Sequence, residues 1–130
     1  MDDKDRGKIR NREYAKQLKD FSGLRFGKIT PTDIDGFCDF GKEDVFVFIE
    51  TKHGDAPLPT GQRLALEALC DTCEKGGKTS IVLIGHHHGD GDIDVGGLDV
   101  TTYRMRRKWH KPRKILSIRQ AVEQILKGVH

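Results

Sequence analysis

Residues 45–52 read VFVFIETK, and this stretch decides the fold. Alternate residues of a β-strand point to opposite faces of its sheet. Val45, Val47 and Ile49 therefore share one face, while two phenylalanines share the other. Because both faces are apolar, we expect a central strand that is covered on both sides, as in an α/β fold.

The same strand ends in polar residues. Glu50 and Lys52 continue the phenylalanine face, so a carboxylate and an ammonium group lie side by side where the strand ends. A plain surface ion pair, worth at most about 1 kcal/mol, is the alternative interpretation of these two residues.

The preceding segment, ITPTDIDGFCDF at residues 29–40, is predicted to pair with this strand as a β-hairpin, because GKED at residues 41–44 supplies a turn. Asp33 and Asp35 are two residues apart, so both carboxylates are expected on one face of the first strand. Pairing of the strands then brings them close to Glu50. Alternatively, Asp33 only favours the turn before the strand.

A helix is predicted from Thr60, its expected N-cap, to about Lys75, where two glycines end it. Its buried stripe is predicted to consist of Leu66, Leu69, Cys70 and Cys73. Gln62 lies one turn before Leu66 and is therefore expected to face the sheet. The alternative for this amide is a bond to nearby backbone.

Four further elements are expected along the chain. A first helix spans residues 11–23, a buried strand lies within residues 78–86, and a short strand lies around residues 100–103. A final helix begins at a capping box formed by Ser117 and Gln120. The predicted apolar side of this last helix consists of Ile118, Val122, Ile125 and Leu126.

This order of elements predicts one α/β domain with a mixed central sheet flanked by helices. We expect a single domain over residues 1–130, with its core at about residues 11–103. A basic segment and the C-terminal helix occupy residues 104–130.

The polar residues of the predicted hairpin suggest metal chemistry. Carboxylate oxygens are the ligands that hard cations such as Mg²⁺ prefer, with water and phosphate completing the shell. Beside such a cation, Lys52 can orient the attacking water, help to deprotonate it, or neutralise charge on a phosphate in the transition state.

At these residues the chain resembles the PD-(D/E)XK nucleases, a family that includes Holliday-junction resolvases and other small phage and bacterial nucleases. The resemblance consists of Asp35, the E-x-K half of the motif at Glu50 and Lys52, and the helix glutamine Gln62, within residues 11–86. It implies a restriction-endonuclease-like core with the order α-β-β-β-α-β.

The resemblance also implies roles for individual residues. The implied catalytic set is Asp35, Glu50, Lys52, Asp33, Gln62 and Glu13. Asp35 and Glu50 bind Mg²⁺ or Mn²⁺ in this assignment, with Asp33 as an auxiliary ligand. Glu13 matches an acidic residue that some members carry on the first helix, although it can instead be a solvated partner of Lys16. The chain departs from the family pattern because Pro31 does not directly precede either aspartate.

Charge is distributed unevenly along the chain. From Arg104 onward there are nine Lys or Arg against one acidic residue, whereas the first 103 residues carry a net charge of −5. Interleaved basic and aromatic residues are typical of surfaces that bind nucleic-acid backbone. The predicted contacts are Arg104, Arg106, Arg107, Lys108, Trp109, Lys111, Arg113 and Lys114. A merely solvated basic face is the alternative.

Cys70-x-x-Cys73 and the histidines at residues 86–88 contain the elements of a zinc site. Both thiols, however, lie on the helix stripe that is predicted to pack on the sheet, and a free cysteine behaves as a small buried hydrophobe. We therefore expect core packing, and a zinc-dependent interaction domain is the weaker alternative.

Together these features predict a metal-dependent nuclease that hydrolyses phosphodiester bonds, with DNA favoured over RNA and structure-selective endonuclease action. The resemblance suggests a homodimer. A catalytically inactive nucleic-acid-binding module of the same fold is the main alternative. No apolar run approaches the roughly 20 residues of a membrane helix, and the start MDDKDRGKIR does not resemble a secretory signal, so we expect a cytoplasmic protein. The resemblance to small nucleases implies that it belongs to a bacterium or a phage.

Overall fold

The computed structural model describes residues 20–128. Most of the predicted first helix, including Glu13, lies outside the described residues. The chain divides into two units, Met1–Thr32 and Asp33–His130. In the described part of the first unit, a 3₁₀ turn covers Ser22–Leu24 and an isolated bridge joins Phe26 to Ile29.

The second unit contains a five-stranded mixed sheet and two α-helices. Its strands are β1 (Gly36–Phe40), β2 (Val45–His53), β3 (Thr79–His87), β4 (Val100–Met105) and β5 (Lys108–His110). Helix α1 covers Thr60–Lys75 and helix α2 covers Ile118–Gly128. The coarse prediction of an α/β domain with a mixed sheet is confirmed.

The sheet order is β1-β2-β3-β4-β5. Strands β1 and β2 form the predicted antiparallel hairpin, with Phe37 paired to Phe48. Strand β3 runs parallel to β2 after the α1 crossover, while β4 and β5 return antiparallel. Strand β2 therefore has a neighbour on each side, as its apolar faces predict.

The two helices cover opposite faces of the sheet. On one face Val45 and Val47 pack with residues of α2, including Ile118. On the other face Phe48 packs with Leu66 and other residues of α1. Since side chains alternate along β2, Glu50 points to the α1 face together with Phe48.

The start of α2 and the end of α1 follow from the local sequence. The Ser117–Gln120 capping box of α2 is confirmed, because each residue's backbone N–H donates to the other's side chain, at 2.9 and 3.1 Å. Helix α1 ends at Gly76 as expected. Its start differs: Pro59 is the N-cap, and Thr60 is the first helical residue.

Four other expectations need correction. Strand β1 begins at Gly36, so Asp33 and Asp35 precede the strand and do not lie within it. Leu69 is 38% exposed, so it is not part of the buried stripe of α1. Between residues 20 and 59 the structure has two strands, β1 and β2, where the resemblance implies three. Strand β5 lies within the basic segment, where the sequence predicted no strand.

No helix among residues 20–128 has the length and hydropathy that a membrane span requires.

Candidate active site

Glu50 is the centre of the polar cluster at the end of β2. It is 2% exposed, and its position on a central strand explains this burial. Its Oε1 lies 3.4 Å from Nζ of Lys52, the next residue on the same face. Its Oε2 is buried and has no hydrogen-bond partner among the described residues.

Asp35 lies across the hairpin from Glu50. Gly36 pairs with Ile49, so Asp35 directly precedes the last paired position of the hairpin and is close enough to Glu50 for their charges to repel. The carboxylate of Asp35 is held in place by Thr51, whose backbone N and Oγ1 donate to Oδ2 at 2.7 and 2.8 Å. Sequence reasoning missed this role of Thr51, the middle residue of E-x-K, because its side chain is not itself a metal or acid–base group.

Gln62 reaches the cluster from the first turn of α1, as its spacing predicts. Its Nε2 donates to the backbone carbonyl of Asp33 at 3.4 Å, so the amide links α1 to the segment that leads into β1. The carboxylate of Asp33 is exposed, and its role as an auxiliary ligand stays a prediction.

The electrostatics of the cluster concentrate on Glu50. Burial raises the pKa of the Glu50 carboxyl, and repulsion from the Asp35 carboxylate raises it further. Attraction to Lys52 and the nearby Gln62 amide lower this pKa only in part. A buried carboxylate with an unpaired oxygen and a like charge opposite it is a site that a cation stabilises.

Asp35 and Glu50 are the carboxylates of this cluster that could hold a divalent cation. Among residues 20–128, no three His, Cys, Asp or Glu side chains gather closely enough to hold a metal ion by themselves. Mg²⁺ is usually held by one or two carboxylates, and waters and substrate phosphates complete its shell. Asp35 and Glu50 would provide such a pair.

The basic segment is divided between core and surface. Arg104 is 8% exposed, because its guanidinium forms two bonds with Asp71 of α1, at 3.0 and 2.7 Å. Trp109 is half-buried, and its Nε1 donates to Glu67 at 2.5 Å. A protein carboxylate thus occupies donors of Arg104, and the predicted contact of Arg104 with nucleic acid stays a prediction.

The other basic residues of the segment are exposed. They are Arg106, Arg107, Lys108, Lys111, Arg113 and Lys114. Glu67 and Asp71 were not predicted as anchors for the aromatic and basic residues of this segment. Their signal was present in α1: Arg63, Glu67, Asp71 and Lys75 recur every fourth residue and thus form one charged ridge.

The cysteines take the structural role expected from the helix stripe. Cys70 is 1% exposed and belongs to the apolar cluster between α1 and the sheet, against which Cys73 also packs. Burial raises the pKa of the Cys70 thiol, which disfavours the thiolate that zinc requires. His86 is held by the Ala56 carbonyl and by Thr101.

Comparisons with protein-family models, curated proteins and solved structures find no match to this chain.

Proposed function

We propose that this protein is a divalent-metal-dependent nuclease of the PD-(D/E)XK type that hydrolyses phosphodiester bonds in DNA. The observation that carries the proposal is the buried Glu50 carboxylate. Asp35 lies near it, directly before the paired part of β1, and Lys52 lies 3.4 Å from its Oε1. Two acidic side chains and one ammonium group at one point of a sheet suit phosphate chemistry better than an isolated surface ion pair, because Glu50 is withdrawn from water.

Each residue then has a defined task. Asp35 and Glu50 hold Mg²⁺ or Mn²⁺, which when bound polarises the scissile phosphate and stabilises its developing negative charge. Lys52, kept next to Glu50 by the ion pair, orients the attacking water and stabilises negative charge on the transferring phosphoryl group. Thr51 holds the carboxylate of Asp35 in place, and Gln62 links α1 to the segment that leads into β1.

The exposed basic residues supply the contact with nucleic-acid backbone in this proposal. Lysine and arginine neutralise phosphates without reading sequence, so selectivity for DNA structure is expected. DNA over RNA and a homodimer with two sites complete the proposal and rest on the family resemblance alone, while the cytoplasmic location stays a prediction from the sequence.

The test compares Lys52→Ala with Lys42→Ala. Lys42 is an exposed lysine in the turn between β1 and β2, at the end of β2 remote from Glu50, so it is a control with the same chemical change. Labelled single-stranded, duplex and four-way-junction DNA are incubated with Mg²⁺, Mn²⁺ or EDTA, and products are resolved on denaturing gels. Binding is measured separately in Ca²⁺.

We expect metal-dependent cleavage by the wild type and by Lys42→Ala. Lys52→Ala should lose at least about 100-fold in rate, the usual effect of removing one transition-state contact, while DNA binding in Ca²⁺ stays within a few-fold. Binding without any cleavage by the wild type would favour the inactive-module alternative. Undiminished cleavage by Lys52→Ala would contradict the assignment.

A further inference from the structure

The turn between β4 and β5 has an unusual composition for its geometry. Met105 pairs with Lys108, so Arg106 and Arg107 form a two-residue hairpin loop, with φ angles of 55° and 65°. A turn with two left-handed residues favours Asn-Gly, because glycine has no Cβ and asparagine tolerates this conformation better than most other residues. Two arginines at this position are conformationally costly, and such strain typically persists where the side chains have a task.

These arginines are available to a ligand. Both are exposed, and neither guanidinium lies within salt-bridge distance of a carboxylate in the part of the chain that the structure describes. By contrast, the guanidinium of Arg104, two residues earlier, is bonded to the carboxylate of Asp71. The hairpin therefore fixes its own base to α1 and presents its two remaining guanidinium groups at the tip.

The tip lies at the opposite end of the sheet from the candidate active site. Glu50 pairs with Ile84, whereas Met105 pairs with Ile81, and the tip lies one residue further along. The tip is therefore four residues from the level of Glu50 along the strands, at about 3.3 Å per residue, and two strands away across the sheet, at about 4.8 Å per strand. Combined at right angles, these two lengths separate the backbone of Glu50 from the tip by about 16 Å, and the arginine side chains extend further. The path along helix α1 gives a similar distance. Gln62, at the candidate active site, lies about 14 Å along the helix from Asp71, which binds Arg104, and the hairpin extends about 7 Å from Arg104 to its tip.

The acidic residues of α1 that lie between the candidate active site and the arginine tip already have partners. On the charged ridge of α1, the Glu67 carboxylate is bonded to Arg63 and Trp109, and Asp71 is bonded to Arg104. A polyanion lying along this ridge meets acids that already have cationic or N–H partners, with Arg63 at one end and the arginine tip at the other. This arrangement lets one nucleic acid follow the ridge from the active site to the tip.

We infer that the Arg106–Arg107 tip is a remote clamp for duplex DNA, which binds backbone phosphates about four to six base pairs from the scissile bond. The number follows from about 15–20 Å divided by the rise of about 3.4 Å per base pair. A duplex is the occupant because it is stiff over about 150 base pairs and so keeps two phosphates at a fixed separation, which a single strand does not. The inference rests on the proposed function for the position of the scissile bond.

The test uses DNA stem-loops with stems of 4, 6, 8, 10, 12 and 16 base pairs and compares three variants with the wild type. Arg106→Asn with Arg107→Gly supplies the residues that the turn prefers and removes both charges. Arg106→Lys with Arg107→Lys keeps the charges. Arg119→Gln removes one exposed charge on α2 and serves as the general control. Binding is measured in Ca²⁺ at several salt concentrations, and cut positions are mapped in Mg²⁺.

The wild type, the lysine variant and Arg119→Gln should bind stems of 8 base pairs about tenfold more tightly than stems of 4, with the step near 6. The Asn-Gly variant should lose this step and about two units of the salt slope, while its melting temperature rises by about 4 °C. The rise in melting temperature shows that the variant is folded.

The possible failures can be told apart. A length step that depends on the arginines, in a protein that cuts nothing in Mg²⁺, would support the clamp and overturn the nuclease proposal. Cleavage that requires Lys52 with no length step, or with the same step in the Asn-Gly variant, would overturn the clamp alone. An equal gain in affinity with increasing length of single-stranded DNA would also overturn the clamp, since binding would then need no rigid spacing between phosphates.

Discussion

Replacing Glu50 by glutamine should make the metal-free protein more stable at neutral pH. Oε2 of Glu50 is buried and has no hydrogen-bond partner among residues 20–128, and Asp35 repels the carboxylate, so both effects penalise its ionised form. An unsatisfied buried acceptor costs on the order of 1–3 kcal/mol, and the amide still has to be accommodated, so we expect a net gain of about 1 kcal/mol. For a domain of this size that corresponds to about 4 °C in melting temperature.

The pH dependence has a definite sign. The pKa of Glu50 is raised in the folded state, so the folded protein binds this proton more tightly than the unfolded chain does. The penalty is therefore present above the folded-state pKa and disappears below about pH 4, where the carboxyl is protonated in both states. The stabilisation by Glu50→Gln should disappear over the same interval.

The assay is urea or thermal unfolding in EDTA from pH 4 to pH 8, with Glu67→Gln as the matched control. The pKa of the Glu67 carboxyl is lowered, chiefly by the bond from Trp109, so the same substitution there should destabilise the protein by about 1 kcal/mol at pH 7. Added Mg²⁺ or Mn²⁺ should stabilise the wild type and leave Glu50→Gln unchanged. Destabilisation of the metal-free protein by Glu50→Gln at pH 7, like that by Glu67→Gln, would refute the reasoning.

Two further predictions concern the packing of the helices on the sheet. Asp71→Asn leaves the guanidinium of Arg104 without its ionic partner and should cost about 2–3 kcal/mol at pH 7 by urea unfolding. Because the pKa of Asp71 is lowered, this difference should vanish in acid, and a constant difference across pH would contradict it. Gly85→Ala places a Cβ 3.1 Å from Cδ1 of Ile118 and should lower stability by about 1–2 kcal/mol. Gly61→Ala in the first turn of α1, with nothing within 4 Å, should raise stability by about 0.5–1 kcal/mol, and equal effects of the two alanines would refute the packing argument.

Much of the hairpin and the helices could be predicted because the deciding signals are local. Alternation over residues 45–52 identified a strand with two apolar faces, and the turn before it left an antiparallel partner as the simplest pairing. The Ser117–Gln120 capping box and the glycine after Lys75 marked helix ends through their own backbone bonds.

The candidate site could be predicted in part. The two-residue period of β2 placed Glu50 and Lys52 together, and the helical period placed Gln62 toward the sheet. The anchoring of Asp35 by Thr51 could not be predicted, because it depends on where β1 begins and on a backbone N–H that no residue pattern reveals.

The sequence by itself determined which residues alternate in polarity, which segments form helices and where basic charge accumulates, because each of these properties depends on residues close together in the chain. Only the tertiary structure decided what that charge does. Arg104 and Asp71 are 33 residues apart, so their pairing depends on how α1 lies across β4. The antiparallel return of β4 carries Arg106 and Arg107 away from Glu50, and strand direction is a property of the assembled sheet.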